Sequence, residues 1–363
     1  MRIRHTAAAL LGAAVLLAAT ACGSSGTQVA AGAPAAGDPA AGDRATGDRA
    51  TGAAAGPETT LRIPDPGNSG ALALGKKDGS LAAALAKVHA KVAWTGSAGP
   101  FAPAAQELNA GQLDVAQGSI TSAVTALSQK PGFKLFAAIA PDNAGEGILV
   151  KDGSPIRTVK DLVGRKIAVN QGGTSEYLLL KALDRNGIPV DKVKRVYLVA
   201  NQSAPVFNSG QVDAWATWST FSVAALAGGA HFLADGAAVG SDNYSVWAVR
   251  TAFADQHPEV VRAFYQYLHQ ATAAQLKDPA KYVNVFTDAG PEAVKGKARD
   301  VTVDITGRGA PVEPIGADQL KRFDAVADFF VAQHVTPVRI DVRPHLIGAA
   351  LLTGADVPTG GGS

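Results

Sequence analysis

The chain has 363 residues, with 33 Lys and Arg set against 31 Asp and Glu, a formal charge of +2 and a single cysteine. So even a balance supplies no basic field for nucleic acid, and no cluster of Lys and Arg interleaved with aromatics takes its place. One cysteine excludes an internal disulfide, and nothing in the composition asks for a metal or a cofactor.

From the start of the chain, Arg2 and Arg4 precede an apolar run over 7–19 that is too short to span a bilayer as a mature helix. It closes on Ala19-Thr20-Ala21-Cys22, which resembles the lipobox at which bacterial lipoproteins are cut and acylated. Residues 1–22 are therefore expected to be a lipoprotein signal ending at Cys22, which would leave the protein exported and lipid-anchored on the outer face of the cytoplasmic membrane. Residues 23–57 are almost wholly Gly, Ala, Ser, Thr, Pro and Asp with a five-residue repeat, the composition of a disordered tether. Such a tether has a root-mean-square span of about 30 Å. Residues 353–363 are expected to form a second disordered end.

The remaining roughly 300 residues exceed the size at which single cores usually stop growing, so two lobes are expected. Short apolar runs at 91–94, 134–140, 166–170, 194–199 and 231–234 predict strands. Apolar spacing of three and four over 103–109 and 176–185 predicts helices. The alternation argues for an α/β protein with mainly parallel sheets. Asn109-Ala110-Gly111-Gln112-Leu113-Asp114 recurs as Asn208-Ser209-Gly210-Gln211-Val212-Asp213, a helix, glycine C-cap and strand joint in each half of the head. A polar turn follows each copy, at 118–121 and 218–220.

Ligands of open α/β sheets bind beyond the carboxyl ends of strands, where these turns lie. After the strand at 167–170, Gly172 and Gly173 let the backbone approach a ligand, and Thr174 or Ser175 can cap the next helix. Such a helix start offers unpaired amides and a positive dipole end to an anion. Ser97 with Gly99, and Ser119 with Thr121, repeat the arrangement, pointing to a small anionic or strongly polar ligand. Trp218 is placed to cover an aliphatic part of that ligand, and Asp65 and Glu146 are the carboxylates expected to face the cleft. Trp247 reads as hinge or core. No G-x-S-x-G elbow, no cysteine in the head and no His pair at ligand spacing supports an enzyme or a metal site.

Further motifs, in this order and spacing, are Trp94-Thr95, Ala98-Gly99-Pro100, Glu146-Gly147-Ile148-Leu149-Val150, Ser154-Pro155-Ile156, Asp161-Leu162-Val163-Gly164, residues 170–180, residues 210–218, Asn243-Tyr244 and Phe253-Ala254-Asp255-Gln256-His257-Pro258. With them the head resembles the substrate-binding proteins of ABC importers for aliphatic sulfonates, taurine and nitrate, which have the type II periplasmic binding fold. The resemblance implies a two-lobed α/β fold with a cleft, lobe 1 from 58–146 and 243–352 and lobe 2 from 147–242. It implies that the ligand's acid group sits among helix N-termini and hydroxyls, matching Ser97, Ser119, Thr121, Thr174 and Ser175, and with the residues read above the expected ligand contacts are these five with Asp65, Gly99, Glu146, Gly173, Trp218 and Tyr244. The expected partners are a small sulfonate-like solute, an ABC permease and, through the lipid, a membrane, with the protein itself a monomer.

Two segments depart from that family. Trp218-Ser219-Thr220-Phe221 stands where Trp-Asp-Pro-Tyr is usual, and Ile63-Pro64-Asp65-Pro66 replaces a Gly-Tyr-Gln-like opening. The alternatives implied by the same resemblance are a thiamine-pyrimidine-precursor type of enzyme or binder, and a ligand sensor or adaptor without transport.

Overall fold

The computed structural model describes residues 57–129 and 131–354. The export segment, Cys22, the tether and the end of the tail lie outside the described residues. In chain order the elements are β1 (Thr59–Asp65), α1 (Ala71–Asp78), α2 (Ser80–Ala86), β2 (Ala90–Ser97), α3 (Phe101–Asn109), β3 (Val115–Ser119), α4 (Ile120–Leu127) and β4 (Phe133–Ile139). There follow β5 (Glu146–Lys151), β6 (Lys166–Val169), α5 (Thr174–Arg185), β7 (Lys194–Tyr197), α6 (Ala200–Asn208), β8 (Ala214–Trp218), α7 (Ser219–Ala227), β9 (Ala230–Asp235) and α8 (Gly236–Val239). The chain ends with β10 (Ser245–Arg250), α9 (Thr251–Gln256), α10 (Pro258–Lys277), α11 (Gly296–Gly307), β11 (Glu313–Pro314), α12 (Ala317–Ala332) and α13 (Ala349–Thr353). The apolar runs expected as strands fall in β2, β4, β6, β7 and β9, and the two periodic segments fall in α3 and α5.

One sheet has the order β7-β6-β8-β5-β9; another has the order β11-β4-β10-β3. The β1-β2 pair adjoins β3 through the Asp114 N–H, which donates to the Arg62 carbonyl at 2.9 Å. Among the described residues the parallel ladders are β1–β2, β6–β7 and β6–β8, with one isolated parallel bridge between Leu135 and Leu346. β5 runs antiparallel to β8 and β9, and β10 runs antiparallel to β3 and β4. This corrects the expectation of mainly parallel sheets, and the reason is topological. Helix-linked pairs β3-α4-β4 and β8-α7-β9 each take between them a strand arriving from the other sheet. That strand enters beside the carboxyl end of its neighbour, with Glu146 opposite Trp218 and Ser245 opposite Ser119, and so must run the other way.

The recurring hexapeptide performs the same task twice. Gly111 and Gly210 adopt φ of 70° and 77° just past helices α3 and α6, a left-handed turn that glycine makes without strain. The Asp114 carboxylate then accepts the Arg62 N–H at 2.9 Å, and the Asp213 carboxylate accepts the Lys166 N–H at 2.8 Å. In return the Asp213 N–H donates to the Lys166 carbonyl at 2.8 Å, as Asp114 does to Arg62. Each aspartate thus stitches the strand it starts to a neighbouring strand, β3 to β1 for Asp114 and β8 to its parallel partner β6 for Asp213. They differ in burial, because Asp114 is fully buried between Arg62 and Arg250 at 2.8 and 2.7 Å, whereas Asp213 remains part-exposed.

The main core runs through both sheets. It joins Leu108, Ile120 and Val124 near the first sheet to Leu178, Leu179 and Leu183 on α5, with Phe323, Val326 and Phe330 of α12. Tyr177 on α5 meets Phe329 and Phe330 edge-on at 5.6 and 6.0 Å, so α12 closes the side of the molecule where the two sheets are joined. Trp247 is core, with its ring edge-on to Phe264 at 5.6 Å.

Candidate functional site

The carboxyl ends of β3 and β6 lead into α4 and α5, and the two helix starts meet. Ser119 is the N-cap of α4, where its hydroxyl accepts the Ser122 N–H at 3.3 Å. The same oxygen lies 2.9 Å from the Thr121 hydroxyl, donates to Ser122 Oγ at 3.1 Å and accepts from Thr174 Oγ1 of α5 at 3.1 Å. Thr121 and Thr174 are themselves 3.3 Å apart and both are buried. Hydroxyls from residues 119–122 and 174 thus form one cluster at two facing positive helix ends.

Behind the cluster stands a polar group built from both links between the sheets. The Glu146 carboxylate, 2% exposed at the end of the first link, accepts from Ser241 Oγ at 2.5 Å and from Asn243 Nδ2 at 2.7 Å. Ser241 and Asn243 belong to the second link. Asn243 also donates to Thr174 Oγ1 at 3.2 Å and accepts from Thr121 Oγ1 at 2.8 Å. One amide therefore ties a buried carboxylate to the hydroxyl cluster. Burial pushes the Glu146 carboxyl up to about 7, against the two hydrogen bonds and with help from the charge of Asp142. Near neutral pH this carboxyl carries its proton for a large part of the time, which lowers negative charge beside the helix ends.

The turn into α5 is held from several sides. Gly172 has φ of 64°, donates its N–H to Glu176 Oε2 at 2.8 Å and accepts at its carbonyl from Thr125 Oγ1 at 2.8 Å. Ser175 turns back into its own loop. Its N–H donates to Asn170 Oδ1 at 3.1 Å, its hydroxyl donates to the same oxygen, and it accepts the Asn170 N–H at 2.7 Å. A Cβ on Gly173 would meet Asn170 Nδ2 at 2.0 Å, so the missing side chain there makes room for Asn170 rather than for a ligand. In this structure Gly173 and Ser175 are thus both engaged with Asn170.

The other expected residues separate into two groups. Trp218 is opposite Glu146 in the β5–β8 ladder, on the same face, with its ring backed edge-on by Phe221 at 5.8 Å. Tyr244 gives its carbonyl to the Ile120 N–H at 2.8 Å, while its ring packs on Phe323 at 5.7 Å, a core role. Asp65 is committed to Lys76 and to the Gly67 N–H at 2.9 Å. Burial alone would lift the Asp65 carboxyl, but those bonds hold it below its usual range. Lys76 in turn sits over the Trp94 and Phe286 rings at 5.2 and 5.6 Å. Ser97, the last residue of β2, and Gly99, just past it, are exposed. Ser241 was missed, its only signal being a polar residue in a short link; Ser122 and Asn243 lay in stretches singled out from the sequence but were not expected as ligand contacts. Ser219, in the segment that departs from the family, is exposed with φ of 54°, and its N–H donates to the Gly145 carbonyl at 2.9 Å. Among the described residues no group of three or more His, Cys, Asp or Glu is placed to hold a metal ion.

Two α/β lobes exchanging antiparallel strands, with helix starts converging where they join, define the periplasmic-binding-protein architecture. The chain belongs to the NMT1/THI5-like family, whose model matches residues 98–282. It is similar to an Escherichia coli (strain K12) protein named for aliphatic sulfonate binding, with 28% identity over 76% of this chain and 88% of that one. It is 33% identical to the taurine-binding periplasmic protein of the same organism over 45% of this chain and 50% of that one. Among solved structures, the alkanesulfonate-binding protein SsuA of Xanthomonas axonopodis pv. citri bound to MOPS has a TM-score of 0.71 and 26% identity, covering 81% of this chain and 99% of that one. The desulfurization enzyme DSZB has the same fold, with a TM-score of 0.60 and 17% identity over 82% of this chain and 98% of that one. The fold by itself therefore leaves the chemistry open.

Proposed function

We propose that this protein is an extracytoplasmic solute-binding protein that captures a small organosulfonate or related anion between two lobes and delivers it to an ABC permease. The observation that carries the reading is the convergence of Ser119, Thr121, Ser122 and Thr174 hydroxyls, supplied by both lobes, at two facing helix starts. The amides of the two helix starts and the Ser122 hydroxyl, which the other hydroxyls position, suit an oxyanion, and a protonated Glu146 behind them would reduce the repulsion it meets. Trp218, on the face that carries Glu146, would cover the organic part, and the left-handed Ser219 beside it would add a contact. Lobe 1 comprises 58–146 and 243–352, lobe 2 comprises 147–242, and the links at Glu146 and Asn243 act as the hinge. The protein works as a binder and not as a catalyst. Acylation of Cys22 keeps it on the outer face of the cytoplasmic membrane, and a Cys22→Ala variant should appear in the soluble fraction.

The test is titration calorimetry and thermal shift with butanesulfonate, taurine, nitrate and sulfate. A ligand present at a hundred times its Kd adds about 2.7 kcal/mol of stability. A shift with sulfonates, lost in a Thr174→Val variant, supports this function. No shift with any of the four, on protein shown to carry no co-purified ligand, overturns it.

A further inference from the structure

Glu176 is an unexpected residue to find in the first turn of α5. It is a carboxylate, only 2% exposed, at the helix start that faces the α4 hydroxyls, where it would oppose the anion proposed above. Three donors surround it. Oε1 accepts from Arg195 at 2.7 Å and from Tyr197 at 2.7 Å, both on β7, and Oε2 accepts the Gly172 N–H at 2.8 Å. The Arg195 guanidinium also lies over the Tyr197 ring at 5.6 Å.

We infer that Glu176 and Arg195 form a positioning pair: Glu176 holds the Gly172 peptide in its left-handed turn, and Arg195 neutralises the carboxylate so that the helix start remains receptive to an anion. Gly172 is the joint of this arrangement, since its carbonyl is taken by Thr125 of α4 while its N–H is taken by Glu176. Moving that peptide moves Thr174 relative to Ser119. A buried carboxylate without a partner is costly and acts over several ångströms in a protein interior, so the charge of Arg195 is needed as well as its hydrogen bond. The consequence for a ligand rests on the anion-binding function proposed above; the consequence for the turn does not.

The geometry makes a non-additive prediction. In Glu176→Gln, an amide that keeps its oxygen on Gly172 turns its NH2 toward the Arg195 guanidinium, donor against donor. In Arg195→Met the carboxylate is left uncompensated. In the double variant the amide oxygen accepts the Gly172 N–H and the NH2 donates to Tyr197 Oη, so every group is satisfied without charge.

The experiment measures the butanesulfonate Kd by calorimetry and the Gly172 amide exchange rate by NMR for wild type, both single variants, the double variant and Arg195→Lys. Expected are losses of affinity of about tenfold in each single variant, with faster Gly172 exchange, and recovery to within about threefold of wild type in the double variant. Arg195→Lys should lie nearer to wild type than Arg195→Met. Unchanged affinity and exchange in both single variants, or a double variant as weak as the two losses combined, overturns the inference. If wild type binds no butanesulfonate, the sulfonate function is what fails. Gly172 exchange then decides the pair: recovery in the double variant sustains it, and a rate unmoved by either single change refutes it.

Discussion

Replacing Glu146 by Gln should abolish a pH dependence of stability that this residue imposes. Burial raises its carboxyl from 4.5 to about 7, so the folded protein holds this proton more tightly than the unfolded chain does. Below about 4.5 both states are protonated and the group contributes nothing to the balance. As pH rises from there to about 7 the unfolded chain ionises first, and stability falls until the folded carboxyl ionises too. The loss accumulated by pH 8 is about 3 kcal/mol, which lowers Tm by roughly 6 °C for a domain of this size. Glutamine keeps the shape and cannot ionise. It also adds a donor facing Ser241 or Asn243, a constant penalty of about 1 kcal/mol that does not bend with pH. Calorimetric Tm should therefore be recorded for both proteins between pH 5 and 8.5. Every other group titrating in that window is common to the two. Asp65 and Asp114 lie outside it, because their lowered carboxyls give up stability only as pH falls below the ordinary carboxylate range. The wild type should lose ground on the variant steadily up to pH 7 and then run parallel to it. Curves parallel over the whole range would refute the argument.

Ser219→Gly should raise stability by about 1 kcal/mol, since glycine adopts the φ of 54° without strain, and an unchanged or lower Tm would remove the strain from the argument. The two stitching aspartates should respond unequally to alanine. Asp114→Ala leaves Arg62 and Arg250 without their buried partner and should cost about 3 to 5 kcal/mol, whereas the part-exposed Asp213→Ala should cost about 1, as read by denaturant unfolding. Gly173→Val should displace Asn170 and loosen the loop that Ser175 closes, so sulfonate affinity should fall with a measurable loss of Tm; an affinity loss at constant Tm would show that Gly173 touches the ligand instead.

Part of the regular structure was legible in the sequence. The runs behind β2, β4, β6, β7 and β9 and the periodicity of α3 and α5 lie within contiguous residues, where local sterics and one-sided burial act. The hexapeptide repeat also marked equivalent joints, because glycine and aspartate do chemically specific work there. The site was legible in part. Ser119, Thr121 and Thr174 were identifiable as helix-start hydroxyls, and they do meet. Ser175 met the same criterion but bonds Asn170, while Gly173 and Asp65, chosen as a close-approach glycine and a cleft carboxylate, lie against Asn170 and Lys76, contacts that residue type alone does not name.

By itself the sequence determined the α/β alternation, the two similar halves and the polar character of the turns, since these depend on spacing along the chain. Only the tertiary structure decided that β5 and β10 enter antiparallel, because each crosses from one sheet into the middle of the other. It alone decided that Glu146, Thr121, Thr174 and Asn243, from four separate stretches, form one buried network. The charge of Glu146 depends on that burial, and burial is a property of what the rest of the chain places around a residue.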